Sequence, residues 1–152
     1  MNEAFLLLAL ALGISLVARS AFAAVPPVRF VPLPERRTNT LDPRFAEKVR
    51  LFVADAAAKG IPLTITETRR STARQEALYA QGRSEPGTVV TQTKESRHIY
   101  GLAVDVWPTG VSFSDPKARD ILTRAAQIAR EHGLENLSSI GDYGHFQESA
   151  DA

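Results

Sequence analysis

The pattern of apolar positions first predicts a helix that begins after Asp42 and ends before Gly60. Asp42-Pro43 places an N-cap residue before a proline at the first helical position, which is a favourable helix start. The apolar residues that follow recur three or four positions apart: Phe45, Val49, Phe52, Val53 and Ala56. This spacing puts them on one face, so we expect the helix to pack against the core.

A strand and a second helix are predicted next. Residues 63–66, Leu-Thr-Ile-Thr, alternate apolar and polar side chains as a half-buried strand does. Ser71 is a typical N-cap, and the helix that it begins is expected to end near Gly82. Arg69 and Arg70 therefore lie at the carboxyl end of the strand, directly before a helix.

The middle of the chain is predicted to contain a loop and two strands. Residues 83–94 include Pro86-Gly87, followed at 88–91 by Thr-Val-Val-Thr, which we expect to form a short strand and one wall of a cleft. Residues 102–107 form a strand with two faces: Leu102, Val104 and Val106 on one, and Ala103, Asp105 and Trp107 on the other. The first face is apolar and belongs in the core, which turns Asp105 toward the cleft.

The last third of the chain predicts a third helix and a final strand. The helix opens at Asp115-Pro116, ends at His132-Gly133 and carries apolar residues on one side: Ile121, Leu122, Ala125, Ile128 and Ala129. Residues 141–147 then predict a tight turn and a short strand that carries His145. The length of 152 residues suits one domain with one core, which we expect to act as a monomer.

The N-terminus resembles a secretory signal peptide. Residues 5–18 form an apolar run, too short to span a membrane comfortably, and Ala21-Phe22-Ala23 is a small-x-small cleavage signal. The alternative is an uncleaved anchor, because the segment before the run carries Glu3 and no Lys or Arg. We therefore predict a signal peptide at 1–23, a proline-rich linker at 24–40, a domain at 41–152 and export to the periplasm or cell wall.

Net charge and cysteine content limit the possible ligands and binding partners. The net charge is +1, with 18 Lys and Arg against 17 Asp and Glu and no long basic run, so nothing indicates nucleic-acid binding. Cysteine is absent, so any metal must be held by His and carboxylate groups.

Two clusters supply such groups. His98 and Asp105 have six residues between them, and Asp142 and His145 lie near the end of the chain. Two His and one Asp suit Zn²⁺ and leave a fourth coordination position for water, as a hydrolytic site requires. The third histidine, His132, lies in the last turn of a predicted helix, where an interaction with the helix C-terminus explains it.

These motifs resemble a known family of zinc peptidases. The string Ser-x-His-x-x-Gly-x-Ala-x-Asp at 96–105, followed by Asp-x-x-His at 142–145, resembles the D-alanyl-D-alanine carboxypeptidases and L-alanyl-D-glutamate endopeptidases of peptidoglycan. Their fold is shared with Sonic hedgehog. The resemblance extends over residues 61–147 and implies an α+β fold with a small antiparallel sheet and about three helices.

The resemblance also implies the roles of individual residues. His98, Asp105 and His145 would hold one Zn²⁺ per chain, and Asp142 would be the general base. The segment at 66–83 resembles the family's segment ahead of the first ligand, which implies that Arg70 grips a substrate carboxylate or steadies an oxyanion. One alternative is that Arg70 is a surface arginine paired with an acid such as Glu67 or Glu76. Another is that the neighbouring Arg69 contacts the substrate.

The substrates implied are peptidoglycan stem peptides. An Asp in the base position is similar to the L-alanyl-D-glutamate branch, so we predict cleavage of the L-Ala–D-Glu bond. The alternatives are a D-Ala-D-Ala carboxypeptidase of the same fold, a non-catalytic cell-wall binding module, and an interaction protein anchored by its apolar N-terminus. Residues 135–140 depart from the Trp-Gly-Gly-Asp-Trp-like stretch usual in the family, which predicts an altered substrate pocket.

Overall fold

The structure is a computed structural model that describes residues 36–149. The predicted signal peptide and most of the predicted linker lie outside the described residues. The helices are α1 (Pro43–Ala58), α2 (Thr72–Ala80) and α3 (Lys117–Glu131), and the strands are β1 (Leu63–Glu67), β2 (Ala103–Pro108), β3 (Leu134–Leu137) and β4 (Asp142–Glu148). Within residues 36–149, short 3-10 turns lie at Thr38–Thr40, Arg97–Tyr100 and Ser138–Ile140.

The four strands form one antiparallel sheet in the order β1-β2-β4-β3. The central pair, β2 and β4, joins segments that are about forty residues apart in the chain, with Val104 opposite Phe146 and Asp105 opposite His145. Because side chains alternate along a strand, the first pair faces one side of the sheet and the second pair faces the other. One face therefore builds the core and the opposite face builds a polar site.

The core lies between the sheet and the two long helices. Phe45 and Phe52 of α1, Leu122 of α3 and Phe146 of β4 are almost completely buried, and the rings of Phe52 and Phe146 are 5.0 Å apart. The start of α1 is as predicted, because the Asp42 carboxylate accepts hydrogen bonds from the backbone N–H groups of Arg44 and Phe45. The α+β fold with three helices and an antiparallel sheet is confirmed for residues 36–149.

One local prediction was wrong, and one strand was not predicted. Residues 88–91 form no strand; Val89 and Val90 are exposed, and the segment beyond them is held by the Gln75 amide, which donates to the Thr93 carbonyl at 2.6 Å. Conversely, 134–137 forms strand β3, which the sequence did not predict. Leu-Glu-Asn-Leu has weak strand propensity of its own, so pairing with β4 is what makes it a strand.

Candidate metal centre and active site

Three predicted ligands converge on the polar face of the sheet. Nε2 of His98, Nδ1 of His145 and Oδ1 of Asp105 form a triangle with sides of 3.1, 3.1 and 3.2 Å. Ligands held about 2.0–2.1 Å from a tetrahedral zinc ion lie roughly 3.3 Å from one another. The triangle therefore has the dimensions of a three-ligand zinc site, and within residues 36–149 it is the one such cluster of His and acidic groups.

The outward hydrogen bonds of the two rings fix which nitrogen faces the centre. His98 Nδ1 lies 2.5 Å from the Thr68 carbonyl oxygen, and His145 Nε2 lies 3.1 Å from Gln147 Oε1. Both partners are acceptors, so each ring donates its N–H outward and presents a lone pair inward. Such outward bonds are the usual way in which proteins orient metal-binding histidines.

Three acceptors with no proton between them repel one another unless a cation joins them. Without a metal ion, a proton bound by one of the two histidines takes the place of that cation. Burial lowers the pKa of His145, but the hydrogen bond and negative charge of Asp105, the hydrogen bond with Gln147 and the negative charge of Asp142 together raise the pKa overall. Burial likewise raises the pKa of Asp105, while hydrogen bonds with His145 and His98 lower it well below its usual range. The site favours a positive charge at its centre, as a zinc site must.

The local backbone explains the small residues of the first motif. The Ser96 hydroxyl accepts a hydrogen bond from the His98 N–H and caps the 3-10 turn that carries the histidine. Gly101 ends that turn with φ of 71°, and a Cβ there would lie 3.0 Å from the backbone nitrogen of Asp42. The turn that presents His98 is thus packed directly against the start of α1.

Asp142, the predicted base, is an exposed residue at the start of β4 and lines the same cleft as the three ligand residues. The cleft has a volume of about 610 Å³. Although the residue is exposed, partial burial of its carboxyl raises the pKa of Asp142, and the negative charge of Asp105 raises it further. A higher pKa makes a carboxylate a stronger base.

Arg70 also lines this cleft, and its side chain is largely buried. Its guanidinium donates to Gln75 Oε1 at 2.7 Å and to Glu67 Oε2 at 2.6 Å, and its Nη2 lies 3.5 Å from Asp105 Oδ2. Glu67 also accepts from Arg74 at 2.6 Å. Burial raises the pKa of Glu67, but hydrogen bonds from the two arginines lower it overall. The ion pair with Glu67 is the structural role that the sequence offered as an alternative for Arg70. The contact with Asp105 places the Arg70 guanidinium beside the proposed metal site.

The two lesser candidates lie elsewhere. Arg69 is exposed and donates to the Ile99 carbonyl. His132 is the C-cap of α3, and its Nε2 lies 3.1 Å from the Asp55 carboxylate of α1. Neither residue lines the cleft that holds the three ligands.

The sequence named Glu67 as an alternative partner of Arg70, and the structure contains that pairing. It did not predict that Gln75 also holds Arg70, or that Gln147 supports His145 and is itself held by Glu135, whose Oε1 accepts from Gln147 Nε2 at 2.5 Å. Glu135 lies in the segment that departs from the family pattern. The alternation of β4 was the available signal for Gln147, because residues 145 and 147 share a face of that strand.

Comparison with known proteins agrees with this geometry. Residues 38–135 match the model of the VanY family, D-alanyl-D-alanine carboxypeptidase. Over 124 residues the chain is 42% identical to the peptidoglycan L-alanyl-D-glutamate endopeptidase CwlK of Bacillus subtilis strain 168, covering 72% of this chain and 74% of that protein.

Solved structures show the same fold. The L-Ala D-Glu endopeptidase ChiX of Serratia marcescens aligns with a TM-score of 0.58 and 26% identity, over 83% of this chain and 93% of that one. The D,D-pentapeptidase VanY of the VanB-type vancomycin resistance cassette, solved with Zn(II), aligns with a TM-score of 0.56 and 16% identity, over 78% and 79%.

Fold and site together define a peptidoglycan peptidase of the zinc DD-peptidase type. The chain belongs to the VanY D-alanyl-D-alanine carboxypeptidase family. The resemblance inferred from the sequence motifs is confirmed, and with it the prediction that the protein is an enzyme.

The hydrogen bond between His145 and Gln147 generates a prediction. Gln147→Ala removes the acceptor that fixes the ring nitrogen facing the centre, so zinc affinity should fall by roughly 10- to 100-fold, the usual effect of losing such a partner. Competition titration against a chromophoric chelator measures this change. Gln127→Ala, on the exposed side of α3, is the matched control and should bind zinc as the wild type does. Equal affinities in the two variants would show that Gln147 does not orient the ligand.

Proposed function

We propose that the protein is a zinc-dependent L-alanyl-D-glutamate endopeptidase that hydrolyses peptidoglycan stem peptides. The observation that carries the proposal is the triangle of inward-facing acceptors from His98, Asp105 and His145, with the acid Asp142 lining the same cleft. The choice of bond is supported by the 42% identity to an enzyme that carries this activity in its name.

In this proposal His98, Asp105 and His145 hold one Zn²⁺ per chain. When bound in such a site, zinc supplies a Lewis acid that polarises the scissile carbonyl and makes water acidic enough to lose a proton near neutral pH. The protein contributes the geometry, because β2 and β4 pair Asp105 with His145 and the turn at 97–100 brings His98 to them.

Asp142 acts as the general base and then as the general acid. Its carboxylate accepts a proton from the attacking water and passes it to the amine that leaves when the peptide bond breaks. No covalent intermediate with the protein is required, since the nucleophile is water. The raised pKa of Asp142 supports this role, because a general base works best when its pKa is close to the pH at which the enzyme acts.

Arg70 acts on the substrate by its charge and position. Glu67 and Gln75 hold the guanidinium against the cleft wall, so little side-chain entropy remains to be lost when substrate binds. A fixed guanidinium there can pair with the free carboxylate of D-glutamate or with an oxyanion formed on the attacked carbonyl.

Export completes the proposal, because peptidoglycan lies outside the cytoplasmic membrane. It rests on the predicted signal peptide at 1–23, with a linker at 24–40 and the catalytic domain from 41 onward. In the portion covered by the structure, 36–149, no helix has the length and apolar character needed to cross a bilayer.

A second candidate is D-Ala-D-Ala carboxypeptidase activity, which the match to the VanY family model favours. A non-catalytic wall-binding module is the third. Digestion of purified peptidoglycan, with mass spectrometry of the products, separates all three. We expect new N-terminal D-glutamate and stem fragments that end in L-alanine. Release of D-alanine alone would establish the carboxypeptidase, and unchanged wall material that nevertheless retains the protein on sedimentation would establish a binder.

Replacing each of the two carboxylates by an amide distinguishes the general base from the metal ligand. Asp142→Asn should retain zinc while turnover falls by about 10²-fold or more, because an amide cannot accept the proton usefully. Asp105→Asn should bind zinc more weakly, since a neutral amide oxygen is a poorer ligand than a carboxylate. Zinc content and hydrolysis are measured on both variants. If Asp142→Asn loses the metal and Asp105→Asn keeps it, the two assignments are reversed.

A further inference from the structure

A second groove adjoins the metal cleft and has no role in the chemistry described above. It has a volume of about 790 Å³ and shares Asp105, Gly141 and Asp142 with the cleft. Beyond these shared residues it is lined by aromatic and polar side chains from β2, β4, the loop at 109–116 and the start of α3. We call this region the aromatic groove, and its main residues are Trp107, Phe113, Arg119, Asp120 and Tyr143.

The aromatic groove contains a ring platform open to solvent. Phe113 stacks on Trp107 with ring centroids 4.7 Å apart and an angle of 30° between the planes, yet 74% of Phe113 remains exposed. The loop that carries it is tied down, because Trp107 Nε1 donates to the Val111 carbonyl at 2.9 Å and Ser114 is hydrogen-bonded to Ser112. A phenylalanine held outward in this way leaves apolar surface that a ligand can cover.

The chemistry of the aromatic groove suits a sugar ring. Sugars present C–H groups on their flat faces, which pack on the electron-rich face of an aromatic ring, and hydroxyl or amide groups at their edges. Here the Arg119 guanidinium lies 4.9 Å from the centre of the Tyr143 ring, and Asp120 lines the same wall. The groove thus offers an aromatic face with a hydrogen-bond donor and an acceptor at its side.

The position of the groove agrees with the layout of peptidoglycan. L-alanine of the stem peptide is joined through a lactyl group to an N-acetylated amino sugar, so six bonds separate the alanine carbonyl carbon from the sugar ring. Six backbone-like bonds equal two residues and span roughly 7 Å. Asp105 and Trp107 are two residues apart on one face of β2, which is also roughly 7 Å.

The direction along the substrate agrees as well. Arg70 lines the metal cleft and does not line the aromatic groove. If Arg70 faces the D-glutamate carboxylate, the alanine side of the scissile bond extends toward the aromatic groove. The metal ligand Asp105 stands between the two regions, where the scissile bond must lie.

We propose that the aromatic groove binds the N-acetylated amino sugar of the glycan strand, with Phe113 and Trp107 as the stacking platform. The enzyme then recognises stem peptides that are still attached to glycan and acts more weakly on free peptides. This inference rests on the proposed function, because only cleavage beside L-alanine puts the sugar within reach of the groove.

Two substrates test the proposal: a free stem tetrapeptide and the same tetrapeptide carrying an N-acetylmuramyl group on its L-alanine. Wild-type enzyme should have a higher kcat/KM on the muramyl peptide. Phe113→Ala should lower that kcat/KM by roughly 3- to 10-fold, the range of one aromatic contact, and leave the free peptide unaffected. Phe113→Trp should retain the preference. Leu51→Ala, which removes an exposed apolar side chain from α1, is the control and should change neither value.

Direct binding supplies a second readout that does not depend on hydrolysis. Trp107 is the single tryptophan in the chain, so its fluorescence reports on the platform alone. N-acetylmuramyl-L-alanine should change this fluorescence saturably in the wild type and far less in Phe113→Ala, while L-alanine should not. Equal kcat/KM on both substrates, with no fluorescence response to the muramyl compound, would overturn the sugar site. The proposed function would still stand if mass spectrometry shows cleavage between L-alanine and D-glutamate, so the two failures are distinguishable.

Discussion

Three acceptor atoms meet on one face of the sheet with no hydrogen-bond donor among them, and much of the structure serves to hold them there. The pairing of β2 with β4 sets Asp105 opposite His145, while the 3-10 turn after Ser96 adds His98. Each ring uses its N–H group in an outward hydrogen bond, to the Thr68 carbonyl or to Gln147. Neither ring therefore has an N–H group left to donate inward and relieve the repulsion among the three acceptors. Only a positive charge at the centre stabilises the three acceptors. For the same reason the pKa of Asp105 is lowered and that of His145 is raised, since both shifts favour a carboxylate beside a positively charged group.

The same sheet separates packing from chemistry. Val104 and Phe146 are neighbours of the two ligands along their strands, and they are completely buried on the helical side. A shift of register by one residue would therefore bury the ligands and expose the core, at a cost in both stability and metal binding. The geometry of the proposed metal site is thus stabilised by the free energy of the core, and the wall of the cleft that carries Arg70 is fixed separately by Glu67 and Gln75.

The sequence predicted the helices and the clustering of His98, Asp105 and His145 because both leave local signals. Asp42-Pro43, Ser71 and the apolar spacing of α1 and α3 are features of short segments, and the ligand motifs combine fixed spacing with a family resemblance. Strand β3 and the absence of a strand at 88–91 depend on which partner is available, which a local pattern does not contain. The supporting contacts of Gln75, Gln147 and Glu135 were missed for the same reason, since their partners are set by the fold.

We propose that one zinc ion is held by Nε2 of His98, Nδ1 of His145 and Oδ1 of Asp105, the three atoms that face inward. The most direct test is a zinc titration of metal-stripped protein, followed by the ¹⁵N chemical shifts of the histidine rings. We expect saturation at one equivalent, with coordination shifts at Nε2 of His98 and Nδ1 of His145 and none at His132. Saturation without shifts at those two nitrogens, or coordination through the opposite nitrogen of either ring, would contradict it.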